Sequence, residues 1–170
     1  MPDIVYAGRR ITADMLTFRS PYVVAEAALT ANSSNITSAT EVTILTTSSV
    51  TLTAGRAYEI EYTGLIQHGT VSITDLCYLR FRRTTGSALI RNIQSIPVTN
   101  KATASRNNAV KVSTVVTPAA TITDTIYMTA GWETGSSATF VLAGTAGTPG
   151  LLTVKDVGPA SDFPNIATFS

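Results

Sequence analysis

Alternation with a period of two, carried by threonine, valine, isoleucine and tyrosine, constrains this chain more than any other feature. Between Tyr58 and Gln67, Tyr58, Ile60, Tyr62 and Ile66 fall on one side, and Glu59, Glu61 and Gln67 fall on the other. Successive Cβ atoms of a strand point to opposite faces, so this pattern predicts a half-buried β-strand. The run Val71 to Arg83 repeats it, setting Val71, Ile73, Cys77, Leu79 and Phe81 against Tyr78, Arg80 and Arg82. Thr and Ser make up roughly a quarter of the chain. Threonine combines a stiff β-branched shape with a polar tip, which suits the solvent side of a pleated surface.

The pattern recurs along the chain, punctuated by Gly, Pro and Asn. Strands are predicted over Tyr22 to Leu29 and Glu41 to Leu52, two or three in all, and over Ala88 to Val98. Others are predicted at Val110 to Val116, Ile122 to Trp132, Thr139 to Ala143 and Leu151 to Val157. Thr53-Ala54-Gly55 and Thr84-Thr85-Gly86 read as turns, Asn100 to Asn108 as a surface loop, and Gly144 to Gly150 as a small-residue connection. Roughly eight to ten short strands without a long helical period imply an all-β fold, an antiparallel β-sandwich of the jelly-roll or immunoglobulin-like type. Strand number and the two long strands favour the jelly roll. The expected layout is an N-terminal arm or docking segment over 1–21, a sandwich over 22–160 and a C-terminal tail over 161–170. In the arm, Tyr6, Arg9, Arg10, Ile11, Met15 and Leu16 are the candidate docking residues. A first strand followed by one helical turn packed on the sandwich is the alternative there.

At 170 residues, 44% hydrophobic and 14% charged, the chain is long and apolar enough to bury a core as one domain. A net charge of +1 lacks the basic footprint of nucleic-acid or anionic-lipid binding. No run approaches the roughly 20 apolar residues of a membrane helix, so no membrane insertion is expected. The first ten residues lack the pattern of a secretion signal.

Few residues carry chemistry. Cys77 is the only cysteine and His68 the only histidine, so neither an intrachain disulfide nor a site with two imidazole ligands can form. No cofactor or metal is expected. His68 beside Gly69 reads as a half-exposed turn residue. Nucleophile-elbow and phosphate-loop sequences are missing. Glu59 and Glu61 share a strand face and could in principle serve a glycosidase or a cation, but cross-strand pairing with Arg80 and Arg82 is the expected arrangement. Trp132 and Tyr127 could contribute to a carbohydrate platform, yet Trp132 continues the core pattern of Ile126 and Met128. Catalytic residues are therefore expected to be none. An apolar, weakly charged sandwich implies self-association, most simply as a homotrimer, and Tyr58, Tyr62 and Tyr78 are the candidate interface residues.

Four segments resemble a known family. Ala7-Gly8-Arg9-Arg10-Ile11-Thr12-Ala13-Asp14-Met15-Leu16 resembles the opening of small tail and fibre proteins of bacteriophages. Leu52-Thr53-Ala54-Gly55-Arg56-Ala57-Tyr58-Glu59-Ile60 is similar to the start of one of their strands. Leu79 to Gly86 is similar to their arginine-bearing strand before a Gly turn, and Leu152 to Ala160, with Val154-Lys155-Asp156-Val157-Gly158-Pro159, resembles a closing strand. The resemblance is to minor tail proteins, virion surface proteins of tailed phages that infect actinobacteria. It implies a trimeric jelly roll docked on the particle by its N-terminal segment, located on the tail or capsid surface and in the host cytoplasm during assembly. Implied partners are further copies, other virion proteins and a host cell-surface glycan. Family members carry a longer receptor-facing region, whereas only Ser161 to Ser170 follows the closing strand here. Capsid decoration or a head-fibre role therefore stands beside the tail role, and a carbohydrate-binding module is the rival from another class.

Overall fold

A computed structural model describes residues 21–68, 73–100, 107–134 and 140–170. The candidate docking residues, all within 1–20, lie outside them. The strands are β1 (Tyr22–Leu29), β2 (Val42–Thr46), β3 (Val50–Leu52), β4 (Arg56–His68), β5 (Ile73–Arg83) and β6 (Leu89–Asn100). They continue with β7 (Asn107–Pro118), β8 (Ile122–Asp124), β9 (Ile126–Thr134), β10 (Phe140–Ala143), β11 (Gly150–Pro159) and β12 (Ala167–Phe169). Among the described residues the only helical pieces are single 3-10 turns at Thr85–Ser87 and Ala160–Asp162.

The strands form a six-stranded sheet in the order β1-β11-β4-β7-β12, with β10 also on β4, and a four-stranded sheet in the order β2-β9-β5-β6. A ribbon of β3 and β8 completes the fold. β10 and β11 both run antiparallel to β4, along Leu65–His68 and Arg56–Thr63 respectively, so they act as one interrupted strand. β8 likewise leads into β9. Taking these pieces together, the chain alternates between sheets until β5 and β6, which form a hairpin in one sheet. The result is an all-β sandwich.

The inward faces are those the alternation predicts. Tyr58, Ile60, Tyr62, Ile66, Leu152 and Val154 of the larger sheet and Cys77, Leu79, Phe81, Ile126, Met128 and Trp132 of the smaller are all buried. Each large apolar side chain so buried contributes about 1.5–3 kcal/mol, which is the main force closing the sandwich. Where Thr53-Ala54-Gly55 turns into β4, Arg56 N–H donates to Thr53 O at 3.2 Å and Gly55 has φ +79°, a conformation that favours glycine.

Three expectations change. Of the segment Asn100 to Asn108, the described ends are strand, since β6 runs to Asn100 and β7 starts at Asn107, and residues 101–106 lie outside the described residues. Residues 161–170 are mostly exposed but end in a strand that is tied down. β12 lies parallel to β7, Phe169 is buried, and Ala119 N–H donates to Phe169 O at 2.8 Å. Tyr58 and Tyr62 are core residues, 2% and 0% exposed, so their rings are spent inside the chain and leave no surface for an intersubunit contact.

Tyr62 shows how the core accommodates a phenol. A methyl group at Gly64 would stand 2.7 Å from its Cζ, and one at Gly150 would stand 2.7 Å from its hydroxyl. The ring therefore occupies space that two neighbouring glycines leave open. Its hydroxyl is buried without a hydrogen-bond partner, and burial pushes its pKa up to about 12. An unpaired buried hydroxyl costs about 1 kcal/mol or more, so Tyr62→Phe is expected to stabilise the fold by about 1 kcal/mol in urea unfolding. The phenol loses its proton more readily when unfolded, so its contribution is full below pH 10 and is lost as pH rises toward 12. Tyr62→Phe should flatten that alkaline loss.

Candidate functional site

Among the described residues, three clusters of oppositely charged side chains stand out, and each is explained by the strands that meet there. On the outer face of the four-stranded sheet, Arg80 and Arg82 stand two residues apart on β5, and Thr129 lies opposite Arg80 on β9. Glu41, just before β2, reaches all three. It accepts from Arg82 Nε at 2.7 Å, from Arg82 Nη2 at 2.6 Å, from Thr129 Oγ1 at 2.7 Å, and from Arg80 Nη1. Arg80 also lies over the Tyr78 ring, 4.1 Å from its centroid, and Tyr78 donates its hydroxyl to Ala39 O. Tyr78 is thus 7% exposed beneath the segment ahead of β2, which removes it as an intersubunit anchor.

The Arg82 hydrogen bonds, against a smaller opposing effect of burial and with help from Thr129 and Arg80, hold the Glu41 carboxyl down at about 2. Glu41 therefore supports the fold fully above its ordinary value near 4.5 and loses that support as pH falls toward 2. Its side chain is 22% exposed, so solvent screening limits the effect to about 1–2 kcal/mol. Glu41→Gln is expected to remove that part of the acid destabilisation, read as a flatter stability profile between pH 5 and 2.

Glu59 and Glu61 lie on the outer face of the six-stranded sheet, and their partners correct the expected pairing. β4 and β5 are consecutive in sequence but belong to different sheets, so Arg80 and Arg82 are on the far side of the molecule. The neighbours of β4 are β11 and β7. Lys155 Nζ lies 3.3 Å from Glu59 and 3.5 Å from Glu61, and Lys111 Nζ lies 3.0 Å from Glu61. Burial opposes ionisation of Glu61, but the Lys111 hydrogen bond and the charge of Lys155 outweigh it and lower its pKa. Both carboxylates are thus held as cross-strand ion pairs on the outer face of the sheet.

The third place is where the described chain begins. Asp156 is 3% exposed and accepts from Arg56 Nε at 2.9 Å and Nη2 at 2.5 Å. Gly158 N–H donates to it at 3.0 Å within a β-bulge where Gly158 has φ +125°, and the Tyr22 hydroxyl approaches at 3.5 Å. The fork of two parallel N–H donors matches a carboxylate and ties the start of β1 and β4 to the end of β11.

His68 is not a half-exposed turn residue. It ends β4 on the core face, is fully buried, and its ring centroid lies 5.6 Å from that of Trp132. Trp132 is 4% exposed, as its core pattern predicts, and so cannot present a face to a sugar. Among the described residues no group of three His, Cys, Asp or Glu side chains is arranged to hold a metal ion. Two shallow depressions are lined by neutral groups. One of about 170 Å³ lies among Asn32, Leu65, Gln67 and Thr145, and one of about 210 Å³ lies among Thr43, Thr46, Thr84 and Tyr127. Sequence reasoning missed Glu41, whose role depends on strands 39 and 88 residues away in the chain.

Fold and clusters together define an all-β sandwich whose described charged groups serve mostly to hold strands and loops in place. Compared with known proteins, the chain matches no protein-family model and no curated protein sequence.

Proposed function

We propose that this protein is a structural component of a tailed-bacteriophage virion, a fibre-like minor tail protein that docks on the particle and displays a trimeric jelly roll. The strand order supports the jelly-roll part of this reading. With interrupted strands merged, the sheets run first-eighth-third-sixth, with β12 added beyond the sixth, and second-seventh-fourth-fifth, the order that two interlocked Greek keys produce.

The observation that carries the functional reading is the polarity of the sandwich. β1 begins beside Asp156 and Arg56 at one end, so the segment before it joins there. The strand ends His68, Ile73, Asn100, Asn107, Thr134 and Phe140 gather at the other end. Such a body can be held at one end and present connections at the other. The internal pairing of Glu41, Glu59, Glu61 and Asp156 favours a scaffold over a catalyst.

Electron microscopy of an intact particle tests this by locating the chain and counting its copies. A few copies on the tail are expected. Hundreds following the capsid lattice would replace the tail role with decoration, and absence from purified virions would overturn the proposal. Sedimentation of the isolated protein should give a trimer at micromolar concentration, and a monomer would remove that part.

A further inference from the structure

Of the two aromatic residues first considered for a sugar surface, Trp132 is spent in the core and Tyr127 is not. Tyr127 alternates with the buried Ile126 and Met128 on β9, so its ring is carried on the outer face of the four-stranded sheet. Its row on that face runs from Thr46 on β2 to Arg82 on β5. Tyr127 and Thr46, with Thr43, Thr84 and Ser87, line the depression of about 210 Å³. The ring is half-buried, and the four hydroxyl-bearing residues around it are exposed.

The rim of this depression is held rigidly. Where β5 turns into β6, Thr84 N–H donates to Thr125 O at 3.1 Å, Thr85 N–H to Asp124 Oδ2 at 3.1 Å, and Arg82 Nη1 to Ser87 O at 2.8 Å. Thr84 and Thr125 also share a hydrogen bond between their hydroxyls. Within this turn Ser87 has φ +50°, the one positive φ outside glycine among the described residues. Such a conformation is strained for serine and persists only where its surroundings enforce it. Glycine would relieve the strain, but it could not set a hydroxyl on the rim.

The lining also defines the chemistry of its occupant. None of the five residues is charged. Arg82, beside Tyr127 in the same row, is engaged by Glu41 through Nε and Nη2 and by Ser87 O through Nη1. An ionic ligand therefore has no counter-charge among the lining residues. A sugar ring fits the groups present. Its C–H face is apolar and stacks on a phenol ring, while its edge hydroxyls need both donors and acceptors, which serine and threonine hydroxyls supply together. An aromatic surface with a few fixed polar groups is the usual makeup of a small-molecule site, and a space below the roughly 300 Å³ of drug-sized pockets suits a single sugar residue.

We propose that this depression is a binding subsite for a neutral sugar residue, stacked on Tyr127 and hydrogen-bonded by Thr46, Thr84 and Ser87. One such contact is weak, and several copies on one particle or assembly raise its effect through multivalency. The inference goes beyond the virion reading and does not rest on it, because the subsite is complete within one chain.

The test titrates the isotopically labelled full chain with the methyl glycosides of glucose, galactose, mannose, rhamnose and N-acetylglucosamine, each to about 20 mM, and follows the amide resonances. At least one sugar should shift Thr46, Ser87 and Tyr127 in a saturable way. Tyr127→Ala should weaken that sugar about tenfold. Ser87→Gly keeps the backbone conformation and removes only the hydroxyl, so it should weaken the same sugar about fivefold while the Tm holds or rises. Silence with all five sugars, shifts centred on the depression at Asn32 and Thr145, or unchanged binding by the folded Ser87→Gly variant would overturn the proposal. A trimer found on the tail that gives no sugar shifts would sink this inference alone, whereas sugar shifts from a monomer absent from virions would sink the virion reading and leave the subsite standing.

Discussion

Arg56→Met is expected to destabilise the fold by about 3 kcal/mol and, at roughly 2–4 °C per kcal/mol for a chain of this size, to lower the Tm by about 6–12 °C. Asp156 is buried and bound by a bidentate fork from Arg56. Among the described residues, removing that guanidinium leaves the carboxylate the Gly158 amide and the distant Tyr22 hydroxyl. Breaking a buried pair on one side is costlier than replacing both sides with apolar groups. The double variant Arg56→Met with Asp156→Leu should therefore recover part of the loss, although the Gly158 amide then lacks its acceptor. Urea unfolding of the two single variants and the double variant measures the coupling. A coupling below about 0.5 kcal/mol would mean that the fork does not hold β1, β4 and β11 together.

Trp132→Ala should cost about 4 kcal/mol, because the indole is a core residue packed against the His68 ring. The same variant separates two functional classes. A carbohydrate platform would lose glycan binding in proportion to the missing ring while the fold stayed intact. A core residue would lose stability first, and binding by the remaining folded protein would not change. Denaturation midpoints measured beside glycan-array signals at a temperature where the variant is folded decide the matter. A stable variant with lost glycan binding would restore the platform reading.

Single residues show where sequence reasoning succeeded. The burial of Ile60, Cys77, Leu79, Phe81, Met128 and Trp132 was legible because side-chain alternation is local covalent geometry, visible in any five residues of a strand. Partner choice was not legible. Glu59 and Glu61 were expected to meet Arg80 and Arg82 because the strands are neighbours in sequence, but they meet Lys155 and Lys111, and the arginines meet Glu41. The three tyrosines have the composition of an interface, and only the opposite sheet and the segment ahead of β2 make them interior.

By itself, then, the sequence determined that the described part of this chain is nearly all β and which side of most strands is apolar, since both follow from the period-two geometry of neighbouring residues. Tertiary structure alone decided which strands lie side by side, which charges meet, and that the three tyrosines are interior. Those outcomes depend on pairings between segments far apart in the chain, whose free energy comes from closing two sheets over one core and leaves no mark in the local pattern.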